Sequence, residues 1–237
     1  MKKVLIIIPA FNEEEALGGV IKGLRLDCPT ADILVVNDGS LDKTASVARS
    51  FEGVSVLTHR FNLGIGAAMQ SGYKFALSND YDIAVQFDGD GQHPSEGVGD
   101  LLEPLLSDTA DADMVVGSRF LSKEGEGYSL TLARGIGIAF FSKVVSFILG
   151  QKFTDTTSGF RAVNKDVIKF FASNYPEDYP EVEVLVLLRK KGFTIKEIPV
   201  TMSKRKGGKS SITPALSVFY MIKVLLAIMV DLIKKVR

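Results

Sequence analysis

The first half of the chain alternates short apolar runs with amphipathic segments. The runs "KVLIIIP", "ADILVVN", "VSVLTH", "YDIAVQF" and "ADMVVGS" are rich in β-branched residues, which is typical of strands buried on both faces. Helical patterns separate them, from about Glu13 to Leu26 and in "LDKTASVARSF", "GIGAAMQSGYKFALS" and "SEGVGDLLEPLLS". This alternation predicts βαβ units, and therefore an α/β fold with a mostly parallel sheet flanked by helices.

The second half follows a different pattern. "LTLARGIGIAFFSKVVSFILG", at about 130–150, is a long apolar helix pattern in which only Arg134 and Lys143 are charged. "FTDTTSGFRAVNKD" is predicted as a polar loop that restarts a helix, and "YPEVEVLVLLRKKGFTIKEIPV" as a helix followed by a strand. A basic glycine loop, "SKRKGGKSS", comes before the apolar tail "ITPALSVFYMIKVLLAIMVDLIKKVR". We expect one domain over 1–211 and a separate C-terminal apolar helix over 212–237.

Composition limits which binding partners and which cellular compartment are expected for the protein. The 237 residues suffice for a sizeable core, and the formal net charge of zero gives no general attraction to nucleic acid, so we expect no nucleic-acid partner. The single cysteine, Cys28, excludes an internal disulfide framework and fits a reducing compartment. The N-terminal apolar run is too short for a signal peptide core, which favours a cytoplasmic location.

Polar turns follow four of the predicted strands. They are Asn12-Glu13, Asp38-Gly39-Ser40, Asp88-Gly89-Asp90 and Gly117-Ser118-Arg119. In open α/β sheets, ligands bind beyond the carboxyl ends of the strands. One such turn is unremarkable, but four at the same edge predict a binding site.

The stretch "VQFDGDGQHP" places two carboxylates one residue apart. Like charges at that spacing repel, and the repulsion grows where water is scarce. A divalent cation held by Asp88 and Asp90, with an amide oxygen from Gln92, would remove it, since Mg²⁺ and Mn²⁺ prefer oxygen ligands. The structural alternative is a solvated Asp-Gly turn.

"NLGIGAAM" has two glycines of a dinucleotide fingerprint but lacks the third and follows the third strand. We therefore predict a tight helix start there and no dinucleotide site. Five cations of the second half could bind a diphosphate or could simply lie on the surface: Arg119, Arg134, Arg161, Arg205 and Lys209. The last two lie in the glycine loop, where flexibility suits closure on phosphate. Glu181 and Glu183 fit the N-terminus of a helix.

Taken in order, these segments resemble family 2 glycosyltransferases of the GT-A fold. The motifs are "PAFNEE", "VNDGSLD", "NLGIGAA", "FDGDGQHP", "GSRF", "DTTSGFRA" and "EIPV…RKGGKSS", over about residues 3 to 212. The match is most similar to polyprenyl-phosphate sugar transferases, the dolichyl-phosphate mannose synthase-like group. Asn37 stands where the family often has an acidic residue.

The resemblance implies a role for each matched residue. The base and ribose of a UDP- or GDP-linked sugar would be lined by Pro9, Phe11, Glu13 and Asp38, and Mg²⁺ or Mn²⁺ on its diphosphate would be held by Asp88, Asp90 and Gln92. Arg119 and Arg134 would bind the acceptor phosphate, the Asp155 to Arg161 loop would border sugar and acceptor, and Arg205 and Lys209 would close on the diphosphate.

The implied reaction inverts the anomeric carbon, with Asp90, Asp155 and Arg134 as the catalytic residues. A polyprenyl phosphate acceptor is already ionised and needs no general base, so Asp155 would position it. A hydroxyl acceptor on a polysaccharide, glycolipid or protein is the alternative, and Asp155 would then be the base. A non-catalytic nucleotide-sugar-binding protein is a further alternative.

Both apolar helices of the second half indicate a membrane contact. In the 130–150 helix, Arg134 and Lys143 can extend toward headgroups, as in an interfacial segment. The tail has the length of a membrane span, but Lys223 and Asp231 interrupt it. We expect peripheral association with the inner face of the membrane, a homo-oligomer or a small membrane partner; two ordinary core helices are the alternative.

Overall fold

A computed structural model describes residues 2–107, 111–121, 132–177 and 180–201, together with Lys223 and Leu226; for 132–139 and 141 it describes the backbone alone. The strands are β1 (Val4–Ala10), β2 (Asp32–Asn37), β3 (Val54–Thr58), β4 (Ile83–Gln86), β5 (Met114–Ser118), β6 (Arg161–Asn164) and β7 (Ile195–Pro199). The helices are α1 (Leu17–Asp27), α2 (Thr44–Arg49), α3 (Ile65–Ser78), α4 (Val98–Leu106), α5 (Leu132–Leu149), α6 (Lys165–Asn174) and α7 (Pro180–Lys190).

The strands form a seven-stranded sheet in the order β3-β2-β1-β4-β6-β5-β7. Neighbouring strands are parallel except for β6, which is antiparallel to both β4 and β5. The carboxyl ends of the other six strands therefore lie at one edge of the sheet, where β6 begins. We call this edge, with the loops that leave it, the strand-end edge.

Apolar side chains cover both faces of the sheet. Ile6 and Ile8 of β1 pack in the layer with α1, α2 and α4, whereas Leu5 and Ile7 pack in the layer with α3, α6 and α7. Both layers bury their residues almost completely. Burial on both faces explains why the central strands are continuous apolar runs.

The α/β architecture and the mostly parallel sheet predicted from the pattern are confirmed. One prediction was wrong: "FTDTTSGFRAVNKD" is not all loop before its helix, because Arg161–Asn164 forms β6 in the middle of the sheet. A strand of four residues that starts with arginine is too short to show the alternating hydrophobic pattern of a strand. Its strand conformation therefore depends on pairing with the neighbouring strands of the sheet. The long apolar pattern at 130–150 is helix α5.

The antiparallel direction of β6 has a consequence for function. Its amino end lies at the strand-end edge, so the loop of residues 154–160 meets the ends of β4 and β5. The chain that leaves β7 after Pro199 starts from the same edge. Residues far apart in sequence are thus collected at one place.

Candidate active site

Three loops at the strand-end edge are tied to one another. The backbone N–H of Asn12 donates to Ser40 Oγ at 3.0 Å, and the N–H of Leu41 donates back to Asn12 Oδ1 at 2.9 Å, which joins the ends of β1 and β2. The N–H of His59, after β3, donates to the carbonyl of Asn37 at 2.9 Å. These bonds fix the relative positions of the polar turns that the sequence predicted as a site.

Asp88 follows β4 and is only partly covered, with 35% of its side chain exposed. His93 Nε2 lies 3.1 Å from its Oδ2, and Gln86 also donates to it. Burial disfavours the ionised carboxyl, but the hydrogen bonds from His93 and Gln86, with the charges of His93 and Arg161, outweigh it and hold its pKa below the ordinary value. Asp88 is therefore a carboxylate at neutral pH.

Buried groups support Asp88 from behind. A Cβ on Gly159 would lie 2.8 Å from Asp88 Oδ2, so only glycine leaves room for this carboxylate. Arg161, expected to border the sugar and acceptor, is 2% exposed. Its Nε donates to the carbonyl of Ser158 at 2.6 Å and its guanidinium to that of Glu181 at 2.6 Å. Arg161 therefore supports the edge from the interior.

Asp90 and Gln92 complete the loop after β4. Both are half-buried, and the backbone N–H of Gln92 donates to Asp90 Oδ1 at 3.0 Å. Asp90 and His93 line a cleft of about 390 Å³ between α1 and this loop. Among the described residues, no group of three or more His, Cys, Asp and Glu side chains is arranged to hold a metal ion.

The oxygen donors of this loop are nevertheless of the type that a divalent cation prefers. Gly159 leaves space around the carboxylate of Asp88, and Asp90 supplies a second carboxylate two residues away. A metal ion held by these two groups would have further coordination positions for the oxygens of a ligand. Magnesium is usually held in this way, by one or two carboxylates with substrate phosphates completing its shell. The donor set fits a metal that binds together with a diphosphate.

Asp38 lies at the end of β2 in a closed hydrogen-bond network. Its Oδ1 accepts from His59 Nδ1 at 2.7 Å and from the N–H of Leu63 at 3.0 Å, and its Oδ2 accepts from the N–H of Gly64 at 2.8 Å. His59 Nε2 lies 2.9 Å from Ser71 Oγ on α3. Asp38 thereby holds the loop that leads into α3.

This connectivity is also that of a Ser-His-Asp hydrolase triad. Ser71, however, lies in the middle of α3, Ile65–Ser78, where backbone N–H groups donate to helix carbonyls. They are then not available as an oxyanion hole, which acyl transfer requires. The network is consequently a means of holding Asp38.

The remaining residues expected at the nucleotide belong to β1 and to the loop that follows it. The N–H of Asp38 donates to the carbonyl of Ala10 at 2.9 Å, so the next residue, Phe11, is its neighbour at the edge. Phe11 is 44% exposed, Glu13 is half-buried, and Pro9 is buried within β1. An exposed aromatic residue at the same edge as a buried carboxylate is suited to a planar heterocycle.

Arg119 and Asp155 form a buried bidentate ion pair. Arg119 Nε donates to Asp155 Oδ2 at 2.6 Å and its guanidinium donates to Oδ1 at 2.7 Å. Asp155 also accepts from the backbone and hydroxyl of Thr157, and its side chain is fully buried. Every part of this carboxylate is engaged, so it holds Arg119 in place and has no position from which to take a proton.

Glu197 of β7 anchors the same loop. Its Oε2 accepts from the N–H of Thr154 at 2.8 Å, and its Oε1 accepts from the N–H of Asp155 at 2.9 Å. Sequence reasoning assigned no role to Glu197, His59 or Ser71. Glu197 lies in "EIPV", where a carboxylate inside a strand pattern was the available signal; His59 and Ser71 gave none.

The second half of helix α5 has a buried face and an exposed face. Ser142 and Val145 are buried, and Ser142 Oγ donates to the carbonyl of Thr154 at 2.9 Å. On the outward face Phe140 is 46% exposed, Phe147 is 90% exposed, and Lys143 is exposed. Within the described ranges, no helix is long and apolar enough to cross a membrane.

Some expected positions lie beyond what the structure describes. Arg134 is placed in α5 by its backbone alone, and Arg205, Lys209 and the expected helix over 212–237, apart from Lys223 and Leu226, lie outside the described residues.

Comparison with solved structures supports the fold. The chain is similar to glucosyl-3-phosphoglycerate synthase from Mycobacterium tuberculosis in complex with UDP, with a TM-score of 0.71, 19% identity, and coverage of 96% of this chain and 80% of that one. The same enzyme with Mn²⁺, UDP and glucosyl-3-phosphoglycerate gives a TM-score of 0.68 at 19% identity, covering 97% and 79%. The sheet and its flanking helices define a protein of the GT-A fold class.

Sequence comparison identifies the family. The model for "Glycosyl transferase family 2" matches residues 5–171, and the chain belongs to this family. It is 31% identical over 220 residues to UDP-N-acetylglucosamine--dolichyl-phosphate N-acetylglucosaminyltransferase of Methanococcus voltae, covering 84% of this chain and 85% of the relative. It is 33% identical over 218 residues to undecaprenyl-phosphate mannosyltransferase of Micrococcus luteus, covering 89% and 88%. The protein is a glycosyltransferase.

Proposed function

We propose that this protein transfers a hexosyl group from a nucleoside-diphosphate sugar to a polyprenyl phosphate, with inversion and with a divalent metal ion, at the cytoplasmic face of the membrane. The names of the Methanococcus and Micrococcus relatives, both lipid-phosphate sugar transferases, support the acceptor class. The state of Asp155 is the observation that carries the choice between a phosphate acceptor and a hydroxyl acceptor.

A hydroxyl acceptor needs a general base within hydrogen-bond reach of the proton it loses. Asp155 was the candidate, and it is fully buried, with both oxygens on Arg119 and Thr157. A phosphate oxygen carries its negative charge at neutral pH and needs no base. The closed pairing of Asp155 therefore favours the phosphate acceptor.

The residues divide the reaction between them. Phe11 and Asp38 bind the nucleotide base, and Asp88, Asp90 and Gln92 would hold Mg²⁺ or Mn²⁺. When bound, the metal ion supplies positive charge that stabilises the departing diphosphate.

The acceptor phosphate is oriented by Arg119, which Asp155 fixes, and by Arg134 from α5. Its oxygen forms the new bond to the anomeric carbon opposite the departing diphosphate, whose bond to that carbon breaks with both electrons. Inversion follows. Arg205 and Lys209 close on the diphosphate from the loop after β7, since fixed cations near developing negative charge lower the barrier.

The outward face of α5 supports the membrane location. Exposed Phe140 and Phe147 flank exposed Lys143, which matches a helix lying at the headgroup boundary. Co-sedimentation with anionic vesicles tests this: Phe147→Ser should weaken binding, whereas Lys74→Ala, a surface change on α3, should not. Equal binding by both variants would contradict the assignment and leave a second copy of the chain as the cover of this face.

A product assay tests the whole proposal. The full chain is incubated in detergent with UDP- and GDP-sugars, Mg²⁺ or Mn²⁺, and either short-chain polyprenyl phosphate or the matching polyprenol. The proposal expects a metal-dependent lipid-linked sugar from the phosphate and none from the polyprenol. Product from the polyprenol alone would favour the hydroxyl acceptor, and donor binding without any turnover would favour a non-catalytic binder.

A further inference from the structure

We infer that His59 determines the donor nucleotide: by occupying Asp38 it leaves a single acceptor position for the base, which selects uracil over guanine. This inference rests on the proposed use of a nucleoside-diphosphate sugar and assigns its base. It follows from the hydrogen bonds around one carboxylate.

The acceptor positions of Asp38 can be counted. A carboxylate offers about two lone-pair positions on each oxygen. On Oδ1 both are used, by His59 Nδ1 and the N–H of Leu63; on Oδ2 one is used, by the N–H of Gly64. One position remains, on Oδ2.

The count does not depend on the charge of His59. A carboxylate only accepts, so the hydrogen between His59 Nδ1 and Asp38 Oδ1 belongs to the ring in either protonation state. His59 Nε2 then either accepts from Ser71 or donates to it. In both cases Oδ1 is filled.

The bases differ in what they present to a carboxylate. Uracil offers one donor, N3–H, between two carbonyl oxygens. Guanine offers two adjacent donors, N1–H and the 2-amino group, and pairs with both oxygens of a carboxylate. Cytosine and adenine present an amino donor beside an unprotonated ring nitrogen, which a carboxylate repels. The one free position therefore suits uracil best, since uracil offers a single ring N–H and no such nitrogen.

The surroundings of Asp38 fit a base held at its edge. Its side chain is 5% exposed, which leaves a narrow approach, and Phe11, 44% exposed, follows Ala10, whose carbonyl accepts from the N–H of Asp38. Gly39 keeps the approach narrow: with φ of +70° and a Cβ position 2.4 Å from the Phe61 backbone, it packs the neighbouring loop against the Asp38 turn. Guanine's second donor would be left without a partner in this confined place.

Calorimetric titration of the full chain with UDP and GDP, in Mg²⁺, measures the selectivity. An unpaired buried donor costs roughly one power of ten or more in affinity, so UDP should bind at least about tenfold more tightly than GDP. N3-methyl-UDP lacks the one donor and should bind wild-type protein roughly tenfold more weakly than UDP. This arm needs no variant.

His59→Ala returns a position on Oδ1 and should reduce the UDP-to-GDP affinity ratio by roughly tenfold. His59→Asn retains an N–H donor near the position of Nδ1 and should keep the ratio closer to that of wild type. Lys74→Ala, an exposed change on α3, is the matched control and should leave the ratio unchanged.

The outcomes separate the inference from the proposed function. Equal binding of UDP and GDP, equal binding of UDP and N3-methyl-UDP, or an unchanged ratio in folded His59→Ala overturns the inference. Uracil selectivity without transfer to polyprenyl phosphate leaves the inference standing and contradicts the proposed acceptor. Absence of binding by either nucleotide overturns both.

Discussion

Aspartates lie at the strand-end edge in two places, the loop after β4 and the junction of β5, β6 and β7. Their side chains differ in exposure and in pairing. After β4, Asp88 keeps 35% of its side chain exposed and Asp90 is half-buried. At the junction, Asp155 is fully buried and paired with Arg119. We call these the open carboxylates and the closed carboxylate.

The difference separates two uses of the same side chain. The open carboxylates keep negative charge within reach of solvent, and buried neighbours hold Asp88 ionised. The closed carboxylate, Asp155, holds the guanidinium of Arg119 in a fixed orientation. Loss of an open carboxylate should therefore affect catalysis first, and loss of the closed one should affect folding first.

Asp90→Asn tests the open side and has the largest expected effect. Removing a metal-binding charge removes several kcal/mol of transition-state stabilisation, so turnover should fall by roughly a thousandfold or more. Thermal unfolding should stay close to that of wild type. Asp100→Asn, which changes an exposed side chain on α4, is the control. Near-normal activity in Asp90→Asn would contradict the assignment of Asp90 to the metal ion.

Asp155→Asn tests the closed side. It leaves the buried Arg119 charge without its counter-ion, which should cost about 3 kcal/mol of unfolding free energy. Urea denaturation measures this, with Glu52→Gln, an exposed carboxylate, as a control expected to stay within about 0.5 kcal/mol of wild type. If Asp155→Asn abolished activity while unfolding normally, the distinction between the two sides would fail.

Arg134→Ala tests whether this arginine serves the acceptor phosphate and not the donor nucleotide. A hydrogen bond from a charged group contributes roughly 1.5 to 3 kcal/mol, so KM for the lipid phosphate should rise about tenfold or more. Binding of the nucleotide, measured by calorimetry, should change little. Lys152→Ala, an exposed lysine just after the same helix, is the control, and an equal loss of donor and acceptor binding would contradict the division.

Glu181→Gln has the smallest expected effect and depends on pH. Burial raises the pKa of Glu181 despite the opposing charge of Arg161, so its stability contribution is full below the ordinary pKa and is lost as pH rises. The variant cannot ionise and should be more stable than wild type at pH 7, with the difference shrinking toward pH 4.

Urea denaturation at both pH values measures the Glu181→Gln effect. Glu183→Gln is the control, because it also removes a charge from the first turn of α7. A stability gain that persists unchanged at pH 4 would mean that ionisation of Glu181 is not its cause.

Much of the fold could be predicted, because its causes are local. Apolar runs and their polar ends placed β1, β2, β4 and β5, and with them Asp38, Asp88, Asp90 and Arg119 at one edge. β6 could not be found in this way, since Arg161 opens it and it has four residues. Its place depends on β4 and β5, between which it lies.

Local sequence was enough to specify the alternation of strands and helices, the polar turns that follow the strands, and the motifs of glycosyltransferase family 2. These depend on neighbouring residues and on the period of a strand or helix. Tertiary structure decided which polar groups pair: Arg119 meets Asp155 across 36 residues, and Asp38 meets His59 across 21. No local pattern encodes such pairs, because strand order and the antiparallel direction of β6 set which loops meet. The open or closed state of each carboxylate follows from that arrangement.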